Sequence, residues 1–347
     1  MRLPALPFLD PAKKPAIQAH LDDLTKPKGS LGRLETLAMQ MAWISGTLRP
    51  AEPEAFFLIF AGDHGIAKQG VSAFPQEVTP QMLANMAAGG AGVSVLCRAN
   101  RIQLRLIDVG VAVPCDWPGV GQRNVMRGTG DPTVGPVMTR AQAEASLQAG
   151  MDEVADLPAQ PFAMLGLGEM GIANSAIAAL LVAALGGVDP RVAVGPGTGL
   201  QGKALDHKLE VIRAVLDRQR LDPADPVGVL AAVGGCEFGA MAGAMLAGAA
   251  RGWAVLVDGY IAGAAALLAL ALEPRIKDFL VWTHRSAEPG AKKMMQVMNI
   301  DPILDLDLRL GEASGAALAV PILRSACAIL REMATFSGAG VSPSDVL

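Results

Sequence analysis

The sequence predicts an α/β fold: a doubly wound, mostly parallel, Rossmann-like sheet with a small helical domain formed by both chain ends. Three observations carry the prediction. From residue 55 onward, short apolar strand-like runs alternate with helical patterns, the rhythm of parallel βαβ units. Glycine is abundant, 39 of 347 residues, and aromatics are only 4 %, so the core must be Ala, Leu, Val, Ile and Met with backbones in close approach. The two opening helical patterns and part of the last one have no strand partners. The boundaries that follow are 1–50 for the N-terminal part of the helical domain, 51–312 for the large α/β domain, and 313–347 for a C-terminal helix returning to the small domain.

In chain order, residues 11–25 place Ile17, Leu21 and Leu24 on one helical face, and residues 31–46 place Leu31, Leu34, Leu37, Ala38, Met41 and Ile44 on another. AFFLIFAG (55–62) reads as a strand. A helix is expected to begin at a Thr79 cap with Pro80 in its first position. RIQLRLIDVGVAV (101–113) is a second strand, followed by a Gly/Pro-rich loop at 114–136 that is long enough to be functional. Thr139 caps a helix running to Leu157. Phe162–Leu167 is a strand ending in glycines, and an Ala-rich helix runs from Gly171 to Leu185. VAVGPGTGL leads to a charged helix near 201–219. Strands are expected at 253–257 and 279–283, and the last long helix from Ala313 to Thr335.

Composition excludes several classes. The 51 % hydrophobic content with 18 % charged residues excludes intrinsic disorder. With 29 Lys+Arg against 33 Asp+Glu, the formal charge of −4 argues against a nucleic-acid partner. Cys97, Cys115, Cys236 and Cys327 are widely spaced and read as reduced thiols of a cytoplasmic protein. MRLPALPFLDP does not read as a signal peptide. Trp253–Leu272 has one charge and nearly the length of a membrane span, but Asp258-Gly259 divides it into a strand and a helix, so no membrane association is expected.

Several glycine-flanked segments carry chemistry. Gly166-Leu167-Gly168-Glu169-Met170-Gly171 is a literal G-x-G-x-x-G with Asp189 at the dinucleotide spacing, which suggests a nicotinamide-dinucleotide enzyme. Its mid-chain position argues against that, and the reading retained is a helix N-terminus whose N–H groups hold a phosphate. Gly195–Gly199 (GPGTG), with Lys203 and Lys208 on the next helix, reads as a second wall of the phosphate pocket or as an ordinary loop and solvated face. Thr283–Glu288 follows a strand and offers a hydroxyl and a cation. Asp63-His64 after a strand suggests metal binding or acid/base work, or a loop that shapes the site. Gly70–Gln76 and Gln81-Met82 offer the apolar slot with a few polar groups that suits a flat aromatic ligand.

GLGEMG, GGCEFG and LGEASG repeat one pattern: glycine turn, carboxylate, helix start. The third carboxylate, Glu312, is either a charge favouring the helix dipole or a general base. Burial raises its pKa and a helix end lowers it, and the sequence leaves the net sign open. There is neither a paired-acid Thr-Gly loop for a pyrophosphorylated ribose nor a G-x-x-x-x-G-K-[ST] loop. A monophosphate held by backbone, with no metal and no cofactor, is therefore expected.

These residues carry a family resemblance. KPKGSLGRLE (26–35), AGDHGI (61–66), GVSAFPQEVTPQM (70–82), LGLGEMGIANSA (165–176), GPGTGL (195–200), GGCEFGAMAGA (234–244), VLVDGYIAGAAALLA (255–269), HRSAEPGA (284–291) and LDLRLGEASGAALA (306–319) span nearly the whole chain in order. The chain resembles the nicotinate-nucleotide–dimethylbenzimidazole phosphoribosyltransferase family of cobalamin lower-ligand synthesis. The resemblance implies transfer of the phosphoribosyl group of nicotinate mononucleotide to 5,6-dimethylbenzimidazole, in a homodimer. It implies Glu312 as the general base with Glu169 as a second catalytic carboxylate. Ser72, Gln81 and Leu310 are implied for the base pocket. Gly168, Gly171, Gly197, Thr198, Gly199, Lys208, Asp258 and Ser286 are implied for the phosphate, ribose and nicotinate.

Overall fold

The computed structural model describes residues 1–342; residues 343–347, the end of the predicted C-terminal region, lie outside the described residues. The apolar faces of the opening helices set the first packing. A 3-10 turn at Pro11–Lys13 leads into α1 (Lys14–Asp23), which buries Ile17 and Leu21. α2 (Arg33–Ser45) buries Leu37, Ala38, Met41 and Ile44, while Leu31 precedes the helix and is exposed.

The expected strands form in the expected places. β1 is Glu54–Gly62. α3 is Val78–Ala87 and begins one residue ahead of Thr79. Thr79 is therefore not the cap: it is buried, and its hydroxyl accepts from the Ile172 amide at 3.0 Å. α4 is Gly92–Ala99 and β2 is Gln103–Gly110. The glycine-rich loop that follows contributes an unpredicted edge strand, β3 (Val120–Gln122). Thr139 caps α5 (Arg140–Ala155) through a full capping box with Gln142. β4 (Ala163–Met170) precedes α6 (Asn174–Gly186), α7 (Pro190–Ala193), α8 (Lys203–Arg218), α9 (Pro226–Val233) and α10 (Cys236–Ala250). The stretch 253–272 divides as its Asp-Gly pair suggests, into β5 (Ala254–Val257) and α11 (Tyr260–Leu272). β6 (Leu280–Trp282), α12 (Pro289–Val297), α13 (Ser314–Glu332) and α14 (Phe336–Ala339) complete the described chain.

The sheet order is β3-β2-β1-β4-β5-β6, and every strand pair is parallel. Helices cover both faces, so β1, β4 and β5 read as continuous apolar runs rather than alternating ones. Strand order reverses between β1 and β4, the switch point outside whose carboxyl ends such sheets bind ligands. At the chain ends, Leu24 bridges Thr335, the Thr25 amide donates to the Ala334 carbonyl at 2.9 Å, and α13 packs on α2. α13 is the one described helix long and apolar enough to cross a membrane, and about half of it is buried, packed on α2, α4 and β4.

Close helix packing depends on small residues. A Cβ on Gly243 of α10 would stand 1.9 Å from the Leu147 carbonyl oxygen of α5, and one on Gly150 would stand 1.8 Å from the Ala240 carbonyl oxygen. Both obstacles are backbone, which cannot swing away. Gly243→Ala should therefore cost about 1–3 kcal/mol of stability in urea unfolding, the usual penalty of overpacking. An unchanged midpoint would contradict this packing.

Candidate active site

The carboxyl ends of β1, β4, β5 and β6 deliver the chemistry-bearing residues to one side of the sheet. β1 ends before Asp63 and His64, β4 carries Glu169, β5 ends before Asp258, and β6 ends before Thr283 and His284. A cavity of about 540 Å³ opens there. Four buried carboxylates line it, Glu169, Asp258, Glu288 and Glu312, together with His284 and the more exposed Arg309. A hollow of about 520 Å³ between residues 2–5 and the α5 and α10 surface is remote from these strand ends.

Glu312 sits in a strained turn. Gly311, Glu312 and Ala313 have φ of +83°, +58° and +59°, three left-handed residues in succession. For the two non-glycine residues this costs on the order of 1–3 kcal/mol each, so the surroundings must enforce it. Glu312 Oε2 accepts from the Val93 amide at 3.3 Å, in the first turn of α4. The Glu312 amide in turn donates to Glu169 Oε1 at 3.4 Å. Burial pushes the Glu312 carboxyl above its ordinary range; the Val93 amide opposes this, and nearby Asp258 adds to it. The net sign left open by the sequence is thus upward, and the opposing helix end is that of α4 rather than α13.

Glu169 is pushed further, from its ordinary 4.5 to about 8, chiefly by burial and then by Glu237, with Glu312 and Asp258 adding to the rise. The folded protein therefore holds its proton more tightly than the unfolded chain. The stability this contributes is fully present below about pH 4.5 and is lost as pH rises through about 8. Glu169→Gln should flatten that decline, and thermal unfolding of the variant should exceed wild type on the alkaline side. Parallel Tm curves for the two proteins would contradict the assignment.

Most of the glycine motif lies in a strand rather than at a helix N-terminus. Gly166 and Gly168 lie within β4, and α6 begins only at Asn174. A Cβ on Gly166 would stand 2.2 Å from the Phe57 ring, one on Gly168 2.5 Å from the Ala313 amide, and one on Gly171 2.2 Å from the Gly62 carbonyl oxygen. These glycines admit neighbouring chain, although Gly168 and Gly171 do line the cavity. Asp189, the would-be ribose acid, caps α7 and pairs with Arg191 at the surface. The dinucleotide reading fails on both counts.

The repeated carboxylate pattern also divides. Glu169 is in a strand and Glu312 is in a loop, whereas Glu237 is in the first turn of α10 and fully buried. Glu237 Oε1 lies 2.7 Å from His64 Nε2. Burial disfavours the charged His64 ring, but the Glu237 carboxylate outweighs it and holds the pKa above the ordinary value. Asp63 Oδ2 accepts from the Ala112 amide at 2.8 Å. Among the described residues no group of three or more His, Cys, Asp or Glu forms a metal-binding cluster.

GPGTG does approach the cavity. Gly197 and Thr198 line it, and a Cβ on Gly197 would meet Ser175 Oγ at 2.4 Å and Lys208 Nζ at 3.3 Å. Lys208 is fully buried and donates to Ser175 Oγ at 2.9 Å and to the Gly195 carbonyl at 3.0 Å, whereas Lys203 is exposed. Ser286 and Leu310 line the cavity as well. Ser72 stands beside it, with Oγ 3.3 Å from Thr198 Oγ1. Gln81 is exposed on α3 and Gly199 is exposed in its loop, and neither reaches the cavity lining. The expected cation beside Ser286, Arg285, instead pairs with Asp305 at 3.2 Å, and the Thr283 hydroxyl donates to the Val257 carbonyl. Sequence reasoning missed Asn174, Ser175, Glu288 and Arg309 as lining residues, although all four lie within the quoted motifs.

The phosphoribosyltransferase family model DBI_PRT matches residues 6–341. Relatives of the same description agree over full length. The nicotinate-nucleotide–dimethylbenzimidazole phosphoribosyltransferase of Cupriavidus taiwanensis is 47 % identical over 343 residues, covering 99 % of each chain. The chain belongs to the nicotinate-nucleotide–dimethylbenzimidazole phosphoribosyltransferase family. A second member, from Geobacter sulfurreducens, is 45 % identical over 94 % of both chains. The crystal structure of CobT from Thermus thermophilus superposes with a TM-score of 0.90 at 39 % identity, covering 96 % of this chain and 100 % of that one. The cavity at the carboxyl ends of β4, β5 and β6 is thus built on the fold of this phosphoribosyltransferase family.

Proposed function

We infer that this chain transfers the 5-phosphoribosyl group of nicotinate mononucleotide to 5,6-dimethylbenzimidazole, giving α-ribazole 5′-phosphate and nicotinate. Full-length family membership carries the reaction. The observation that carries the mechanism is Glu312, a buried carboxylate with a raised pKa at a cavity lined by acids.

The pyridine-type nitrogen of the neutral benzimidazole attacks C1′ from the face opposite the nicotinate ring, which gives the α product. The C1′–N bond pair returns to the nicotinate ring and discharges its pyridinium. The other benzimidazole nitrogen then holds an acidic N–H, and Glu312 takes that proton. Positive charge develops on the ribosyl group as the bond breaks, and the Glu312 carboxylate on the cavity wall stabilises it. Glu169, largely protonated near neutral pH, avoids a second full charge beside the base. The phosphate goes to Gly197, Thr198, Ser286 and the Ser175–Lys208 pair. Leu310 and Phe74 form the apolar side for the benzimidazole, with the half-buried Ser72 hydroxyl beside it. Holding two substrates in line supplies up to about 7–11 kcal/mol of the barrier reduction.

The chain acts as a homodimer in the cytoplasm; four free, buried thiols suit that compartment. Residues 1–50 and the distal part of α13 form a helical unit beside the large domain. The test is release of nicotinate from nicotinate mononucleotide with and without dimethylbenzimidazole. Release should require the base and match α-ribazole phosphate one to one. Release indifferent to the base would make the protein a hydrolase.

A further inference from the structure

The left-handed turn at Gly311–Ala313 needs something to enforce it, and two side chains outside the turn are built to do so. Asp258 follows β5 and is almost fully buried, and its Oδ1 accepts from the Ala316 amide at 2.9 Å. Ala316 lies in the first turn of α13, four residues beyond Glu312. His284, after the adjacent strand β6, is equally buried, with Nδ1 3.5 Å from the same Asp258 oxygen. A Cβ on Gly315 would stand 2.0 Å from His284 Nδ1, so the first turn of α13 rests directly on the imidazole. From the other side β4 closes on the turn at Gly168, whose Cβ would stand 2.7 Å from the Glu312 carbonyl carbon.

We propose that Asp258 and His284 form a clamp on the start of α13 that holds the Gly311–Ala313 turn in its left-handed form and so positions Glu312. They are positioning residues. The proposal rests on Glu312 being the proton acceptor, but the clamp itself can be read without activity. Its geometry is plain: two neighbouring strand ends grip the helix whose preceding loop bears the base. The titratable groups that share the cavity with Glu312 are Glu169 from β4, Asp258 after β5, Tyr260 of α11, His284 and Glu288 after β6, and Asp307 and Arg309 on its own loop, and the amide end of α4 meets its carboxylate. Asp258 also raises the Glu312 carboxyl, so loss of its charge should ease ionisation of the base.

The experiment is Asp258→Ala in the full chain, since an asparagine oxygen could still accept from the Ala316 amide. The clamp predicts a fall in kcat of about 10²-fold, the scale of a misplaced catalytic group. KM for nicotinate mononucleotide should stay within about threefold, because uniform binding is untouched. The acid limb of the pH profile should move to lower pH. On a Glu312→Gln background the same substitution should add less than about twofold, since both act on one group. In the free protein, hydrogen exchange at the Ala316 amide should accelerate. A raised KM with intact kcat would make Asp258 a substrate ligand and overturn the clamp, as would unchanged exchange at Ala316. If Glu312→Gln itself keeps full turnover, the proton-acceptor reading fails, and the exchange measurement still decides the clamp. Gly315→Ala is the second variant: it pushes the imidazole away from the helix and should lower kcat without raising KM. Wild-type kcat in that variant would overturn the proposal even if Asp258→Ala fails to fold.

Discussion

Glu312→Gln should yield a folded protein that binds nicotinate mononucleotide but forms α-ribazole 5′-phosphate about 10²–10⁴-fold more slowly, the usual contribution of a general base. Glutamine keeps the shape, and its carbonyl oxygen can still accept from the Val93 amide that now meets Oε2 at 3.3 Å. The left-handed turn should therefore persist. What disappears is the proton acceptor, with the negative charge that Glu169 and Asp258 oppose. The variant should be no less stable than wild type for that reason. In wild type the acid limb of the pH–rate profile should lie above the ordinary carboxylate range, because burial and Asp258 raise the group more than the amide lowers it. That limb should vanish in the variant. Single-turnover product formation, with donor affinity measured separately by calorimetry, reads both effects. Retention of wild-type turnover would remove Glu312 from the chemistry, and loss of donor binding would make it a ligand instead.

How far the sequence reveals this site depends on whether each residue's role is local. β1, β5 and α11 were legible because buried parallel strands must be continuous apolar runs and Asp258-Gly259 punctuates one. The Thr139 cap was legible because its partner is three residues away. Thr79 was not: a hydroxyl before a helix looks like a cap, but this one serves Ile172, far along the chain. The GLGEMG glycines are ambiguous in sequence for a related reason. Glycine suits both a tight turn and a close approach, and only the positions of Phe57, Gly62 and Ala313 decide between them. His64 and Glu237 are separated by most of the large domain, and no local rule pairs them. Glu288, Ser175 and Arg309 stood inside quoted motifs, yet which side chain of a motif faces a cavity is set by tertiary packing.

Lys208→Ala should lower kcat/KM for nicotinate mononucleotide by about 10²–10³-fold, mostly through KM, on the scale of truncating one partner of a buried, hydrogen-bonded charge. The lysine is fully buried, with Ser175 and Gly195 accepting two of its three protons. Burial lowers the ammonium to about 8 against the opposing pull of Glu288. Donor binding in wild type should accordingly weaken as pH rises through about 8. Lys208 stands behind the cavity wall, and its charge would act on the phosphate through Ser175, which lines the cavity beside Gly197. Arginine should not rescue, because a planar guanidinium is larger than the ammonium pocket and needs a flat partner. A purely structural lysine would also cost activity, so the donor must be varied. Nicotinate riboside lacks the phosphate, and with it Lys208→Ala should lose little beyond what wild type already loses. An equal loss with nucleotide and nucleoside would show that Lys208 holds the GPGTG loop rather than the phosphate, and the donor's anionic end would then have to be sought elsewhere in the cavity.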